Sequence, residues 1–159
     1  RCTPTQIRRY LNRVSGPFLD RIDIGVEVPR QDLGMMAAEK SIDEGSFPQT
    51  EQRNSSAVMR ARVMEARARQ EKRFADESIS YNSQMTRRQI EEYCRLSGED
   101  AVFLEKVERQ QGISARGHGK ILKVARTLAD LDGQAEIGRT QLAEAIGFRS
   151  FEKKYWGSL

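Results

Sequence analysis

Apolar residues recur along this chain at two different periods. Ile7, Tyr10, Leu11 and Val14 follow one another at spacings of three and four, which predicts an amphipathic helix. Thr3 suits its N-cap, Pro4 its first position, and Gln6 completes a Thr-x-x-Gln capping box. Ser15-Gly16-Pro17 is expected to stop it. The period then changes: Ile22, Ile24, Val26 and Val28 alternate with Asp23, Gly25 and Glu27, and Pro29 closes the run. Alternation of this kind predicts a β-strand, the one convincing strand in the sequence. A lone strand cannot satisfy its own N–H and C=O groups, so it is expected to belong to a sheet whose other strands lie elsewhere.

Residues 31–54 lose any period. Asp32, Gly34, Asp43, Gly45, Ser46, Pro48 and Asn54 interrupt it, and the stretch reads as a linker or insertion. From residue 55 the pattern is helical throughout. Ser55 or Ser56 caps a long helix to about Phe74, with a weak apolar side of Met59, Val63, Ala66 and Phe74. Thr86 caps a helix through Ile90, Tyr93, Cys94 and Leu96. A third lies near residues 99–110, with Val102, Phe103, Leu104 and Val107. Ser114 caps a fourth, which runs to about Leu131 through Ile121, Leu122, Val124, Ala125 and Leu128, and Asp132-Gly133 ends it. A short fifth near residues 139–146 carries Leu142, Ala145 and Ile146. No internal repeat is visible. The expected fold is mainly α: a small helical bundle over 55–159, preceded by one helix and one orphan β-strand within residues 1–30.

Composition narrows the picture a little. At 159 residues, one domain or two at most are expected. Hydrophobic residues make up 38% and aromatics 7%, enough for a thin, mostly aliphatic core. Mean hydropathy is −0.68, and no apolar stretch approaches the ~18 residues of a membrane span. A net charge of +4 permits an anionic partner without demanding one. Cys2 and Cys94 form no disulfide framework, and no signal peptide is visible, which suits the cytoplasm. The start at Arg1, without Met, reads as a segment of a longer protein.

Candidate chemistry is sparse. No Gly-rich phosphate loop followed by Lys-Ser/Thr exists, no metal-ligand cluster is visible, and the single histidine, His118, has no evident catalytic partners. Two arginines stand out. Arg21 lies on the turn feeding the strand. Arg116 lies in the first turn of a helix, where the helix dipole disfavours a cation and an anion would be welcomed by both guanidinium and free N–H groups. A tolerated surface arginine fits either position as well. The helix after Ser55 carries Arg60, Arg67, Arg69 and Arg73. They form a candidate ridge against DNA, or a solvated face with i,i+4 pairs such as Arg67–Glu71, since no aromatics interleave with the charges. Phe148, Phe151, Tyr155 and Trp156 are expected to pack the tail onto the bundle. Cys94 is expected in the core.

The run QIRRYLNRVSGPFLDRIDI followed by VEVP resembles the magnesium-chelatase-like AAA+ ATPases of bacteria, in particular their ComM-like group. YNSQMTRRQIEEYCRLSGED, GISARGHGKILKVARTLADLDG and LAEAIGFRSFEKKYW are similar to the same family's C-terminal region, in the same order. The resemblance implies a full-length protein with a protease-like domain, an AAA+ core holding both Walker motifs, and a helical lid. Residues 1–30 would be the end of the core and 55–159 the lid. It also implies roles. Arg21 matches the arginine finger, acting in trans on the γ-phosphate held by a neighbouring subunit. Ser114-Ala115-Arg116 matches the sensor-two motif, with Arg116 and Ser114 at the nucleotide. ATP and Mg would serve the full-length protein, arranged as a homo-hexameric ring, with none bound to this segment, which alone is expected to be inactive. Implied functions are a motor for branch migration and recombination of incoming DNA or, alternatively, the motor subunit of a porphyrin magnesium chelatase. A non-enzymatic helical DNA-binding module, with the helices near 86–96 and 99–110 as a helix-turn-helix, is the reading from another class.

Three positions depart from the family pattern. Gly25 stands where His is frequent, and Gly117 and Gly119 stand where bulkier residues are usual. If helical, the two glycines weaken that helix start by up to ~1 kcal/mol each relative to Ala; the alternative is a loosened sensor turn. Cys2 would be the last ligand of an upstream zinc site. One thiolate makes no tetrahedral site, so no metal is expected in this segment.

Overall fold

The computed structural model describes residues 3–28 and 55–149. The expected 31–54 insertion, Cys2, and the aromatic tail beyond Phe148 lie outside the described residues. Seven α-helices are present among the described ones: α1 (Pro4–Leu11), α2 (Gly16–Leu19), α3 (Ser56–Arg73), α4 (Arg87–Tyr93), α5 (Gly98–Gln111), α6 (Ala115–Leu131) and α7 (Arg139–Gly147). A 3₁₀ turn, Asn82–Gln84, precedes α4.

Caps set most of these boundaries. Thr3 and Gln6 form a reciprocal capping box at α1, and Thr86 and Gln89 form another at α4. Ser55, Ser97 and Ser114 each accept an N–H bond in the first turn of α3, α5 and α6. Ser15-Gly16-Pro17 was expected to end a helix. α1 instead ends earlier, at Leu11 with Asn12 as its C-cap, and the run begins a helix, because Ser15 takes the N-cap and Pro17 fits the first turn of α2.

The orphan strand is unconfirmed. Residues 22–28 form no ladder among the described residues, and the Gly25 N–H instead donates to the Phe148 carbonyl at 2.9 Å. Ile24, Val26 and Val28 stay exposed, as an alternating run does when its sheet is not there to cover it.

α6 is the central element. It packs against α3, α4, α7 and the 3₁₀ turn, and α5 leans on α7. Ile121, Leu122, Ala125 and Ala129 of α6 meet Phe74, Met85, Cys94, Leu104, Ile137, Leu142, Ala145 and Ile146 in one core. Phe74 and Tyr93 stack edge to face, with centroids 5.4 Å apart. The apolar side of α3 is half used: Ala66 and Phe74 are buried, whereas Met59 and Val63 are exposed.

Through the same bundle runs a buried polar network. Asp130 of α6 is fully buried and takes both Nη atoms of Arg73, one of them at 2.9 Å. Arg126 meets it at 3.2 Å and Asn82 donates to it at 2.8 Å. Asn82 also bonds Thr127, and its N–H reaches Gln70 of α3. Arg126 continues to the carbonyls of Gln134 and Ala135, holding the α6–α7 connection. Between α5 and α7, Arg139 pairs with Asp100 and lies 4.3 Å over the Phe103 ring.

Asp130→Ala strands two buried guanidinium groups and should cost about 3–5 kcal/mol in urea unfolding, whereas Glu91→Ala at the exposed Arg87–Glu91 pair should cost under about 0.5 kcal/mol. Arg139 beside Asp100 holds its carboxyl below the ordinary range. The pair's stabilisation is thus complete above the unfolded carboxyl pKa, near ~3.9, and is lost as pH falls through the lower folded value. Arg139→Gln should flatten that acid limb in pH-dependent melting curves.

Candidate functional site

Gly112 closes α5 in the left-handed region, at φ 68°, and only Ile113 and Ser114 separate it from α6. This tight connection sets the start of α6 directly beside the last turn of α5. His118 Nδ1 lies 2.7 Å from Glu108 Oε1 across it. Ser114 caps α6 through the Gly117 N–H at 3.1 Å. Arg116 follows in the first turn, exposed.

Arg116 lies on the wall of an open groove of about 1100 Å³ between α4, α5 and α6. His118, Lys120 and Lys123 line it from α6 beside Arg116, Arg87 and Glu91 from α4, Glu105 and Glu108 from α5, and Met85, Ile90, Leu104 and Leu122 add apolar lining. Most of these cations are already engaged, Arg87 with Glu91, Lys120 with Asp23 and Lys123 with the Ser83 carbonyl, while Arg116 stands exposed on the capped first turn; a cation there suits a phosphate and the apolar lining suits a flat ring, so the residues present fit a nucleotide. Cys94 also reaches the groove, but burial pushes its thiol up to about 11, which leaves it protonated and inert at neutral pH. Among the described residues no group of three His, Cys, Asp or Glu side chains could hold a metal ion.

Gly117 is helical, in the first turn of α6. It is buried, and a Cβ there would stand 2.7 Å from Ile113 Cγ2 and 3.8 Å from Arg149 Nε. The missing side chain lets Ile113 and Arg149 close onto the helix start. Gly119 has no such constraint, with only Ile90 Cδ1 at 3.5 Å.

Arg21 is exposed just beyond α2 and donates to the Pro17 carbonyl at 2.9 Å. The chain after it is tied to the bundle. Asp23 pairs with Lys120, the Ile22 carbonyl accepts from Arg149 at 3.0 Å, and Gly25 bonds Phe148. Arg21 and Arg116 thus sit on two segments linked through Asp23 and Lys120. Local spacing carries no sign of Asp23, Lys120 or Arg149, whose contacts cross more than half the chain.

The proposed basic ridge of α3 divides. Arg73 and Arg69 turn inward, to the Asp130 carboxylate and carbonyl respectively, because their face of α3 packs on α6. Arg60 and Arg67 remain outward, Arg67 lying 5.7 Å from the Tyr81 ring centroid. Arg67 and Glu71 make no ion pair, and Arg69 instead reaches Glu65 at 3.8 Å.

Residues 53–149 match the family described as magnesium chelatase, subunit ChlI C-terminal, and residues 1–36 match magnesium chelatase, subunit ChlI. The chain belongs to the magnesium chelatase ChlI family. Within it the segment is an AAA+ ATPase-like lid fragment of the ComM kind. It is 41% identical over 151 residues to competence protein ComM of Haemophilus influenzae, covering 94% of this chain and 27% of that protein. Similarity to protein YifB of Escherichia coli is 40% over 153 residues, 96% of this chain and 28% of the relative. A Mycobacterium bovis protein, Mb2921c, is 30% identical over 148 residues, 93% of this chain and 27% of its own length. The chain therefore spans about a quarter of the curated relatives it matches. No described helix is long and apolar enough to cross a membrane.

Alanine substitutions at the two glycines should have opposite signs. At Gly119 the added methyl meets ordinary contact, and the helix should gain about 0.5–1 kcal/mol. At Gly117, overpacking of about 1–3 kcal/mol should outweigh that gain and lower the melting temperature.

Proposed function

We propose that this segment is the nucleotide-sensing lid, with the finger-bearing end of the core, of a ring-forming ATPase that processes DNA. The observation that carries the reading is the exposed Arg116 on the capped first turn of α6, on one groove wall with Lys120 and Lys123. The family membership and the similarity to a competence protein support it. ATP with Mg, when bound by the full-length protein, supplies the phosphoryl-transfer chemistry.

This chain's residues bind and neutralise. Ser114 fixes the helix start through Gly117, so that Arg116 is presented in one place. The Arg116 guanidinium holds the phosphates of its own subunit's nucleotide. Arg21, held at its base by the Pro17 carbonyl, is offered to the nucleotide of the next subunit in a homo-hexamer. There its planar charge meets the negative charge spread over the equatorial oxygens in the transition state. Arg60 and Arg67 are the α3 arginines left for DNA. The family description favours a second reading, the motor subunit of a magnesium chelatase acting on a porphyrin.

In the full-length protein, Arg21→Ala should leave nucleotide binding nearly intact and depress turnover by ~10³-fold or more. Arg116→Ala should weaken affinity and turnover together. Rings mixed from the two variants should regain part of the activity, because some interfaces then pair an intact Arg21 with an intact Arg116. Mixed rings no more active than either variant, with subunit exchange verified, would overturn the assignment to opposite sides of one interface. Stimulation of turnover by branched DNA supports the DNA reading, and stimulation by a porphyrin instead supports the chelatase reading.

A further inference from the structure

We infer that Lys120 is a shared cation, held by Asp23 or by a phosphate in the Arg116 groove, and that this exchange couples a subunit's own nucleotide to the placement of its Arg21. The inference rests on the proposed roles of Arg21 and Arg116. It adds a positioning residue that those roles do not require.

Lys120 lies one helical turn beyond Arg116, on the same face of α6 and on the same groove wall. Its side chain is only 16% exposed and pairs with Asp23, whose own side chain is 58% exposed. A half-exposed carboxylate binds an ammonium only modestly, so the pair can open. A lysine suits such an exchange, being a compact point charge on a flexible stem that needs no fixed geometry.

The neighbouring contacts make the exchange matter. Arg149 is buried, packs against the bare face of Gly117 in the first turn of α6, and donates to the Ile22 carbonyl, one residue past Arg21. Gly25 is bonded to Phe148. Residues 22–25 are therefore gripped at three points: Ile22 by the buried Arg149, Gly25 by the Phe148 carbonyl, and Asp23, the most exposed of them, by Lys120. When a phosphate draws Lys120 away from Asp23, the exposed grip is released, Arg149 remains as a pivot, and the Gly25–Phe148 bond, no longer clamped from Asp23, opens more often. The segment carrying Arg21 is then free to turn toward the neighbouring subunit. A subunit with an anion in its groove thus offers its finger differently from one whose Lys120 is held by Asp23.

The test uses the assembled full-length protein and a non-hydrolysable ATP analogue. Asp23→Asn removes the competing anion, so Lys120 is always available, and affinity for the analogue should tighten by roughly three- to ten-fold. Amide exchange at Gly25 should quicken on adding the analogue to the unmodified protein, and should be fast with or without it in Asp23→Asn. Lys120→Met serves as a second variant: affinity should weaken, and Gly25 exchange should no longer respond. A purely structural pair would give a lower melting temperature and unchanged or weaker affinity in Asp23→Asn, and that result overturns the inference. So does a Gly25 amide that ignores the analogue in the unmodified protein. The two levels separate cleanly. If Arg21→Ala and Arg116→Ala leave turnover and affinity untouched, the proposed roles fail. If those variants behave as expected while Asp23→Asn does not tighten binding, only the exchange fails.

Discussion

A carboxylate with no access to water organises this bundle. Asp130 is tolerable inside α6 only because Arg73, Arg126 and Asn82 neutralise and bond it together. Those partners come from α3, from α6 itself and from the 3₁₀ turn, so satisfying one charge fixes the positions of three elements. Hydrophobic contact alone would let α3 slide on α6, since half of its apolar side faces solvent. The ionic network sets one register for it. Arg126 then extends that register to the α6–α7 connection, and so α7 and the start of the Phe148–Arg149 segment inherit their places from Asp130.

With α6 held from the Asp130 end, its other end is free to be functional. The first turn carries an exposed cation, a serine cap and a glycine that admits a neighbour's side chain. The groove beside it mixes charge of both signs with an apolar lining, which is unusual for a stabilising surface and natural for a ligand that is anionic at one end and flat at the other. The buried ionic network and the exposed Arg116 beside its groove thus lie at the two ends of one helix, about four turns apart.

Local chemistry was legible in the sequence and distant chemistry was not. Thr3, Ser55, Thr86 and Ser114 cap where their side chains compete for N–H groups a few residues away, and their helices follow. Arg21 and Arg116 were visible because each breaks a local expectation or matches a family string. Arg73 fits neither a ridge against DNA nor a solvated face, because its partner Asp130 lies 57 residues away in the sequence. Arg126 and Asp130 did leave a trace: they sit four apart among Leu122, Ala125 and Ala129, charged residues on a side that otherwise buries. The strand reading of 22–28 needed pairing that no periodicity can supply. Gly117 was read by helix propensity, whereas what decides its effect is the Ile113 methyl beside it.

The bond from Arg149 to Ile22 spans 127 residues, nearly the whole described chain. During synthesis the segment around Arg21 emerges before Arg149, so this bond cannot form until α7 and the two residues after it have been made. Loop closure over such a separation is slow relative to the helices it joins. A chain truncated within the bundle, or one whose bundle has come apart, leaves the Ile22–Gly25 segment ungripped. Completion of the bundle as far as Arg149 thereby becomes a precondition for the placement of the Ile22–Gly25 segment next to Arg21.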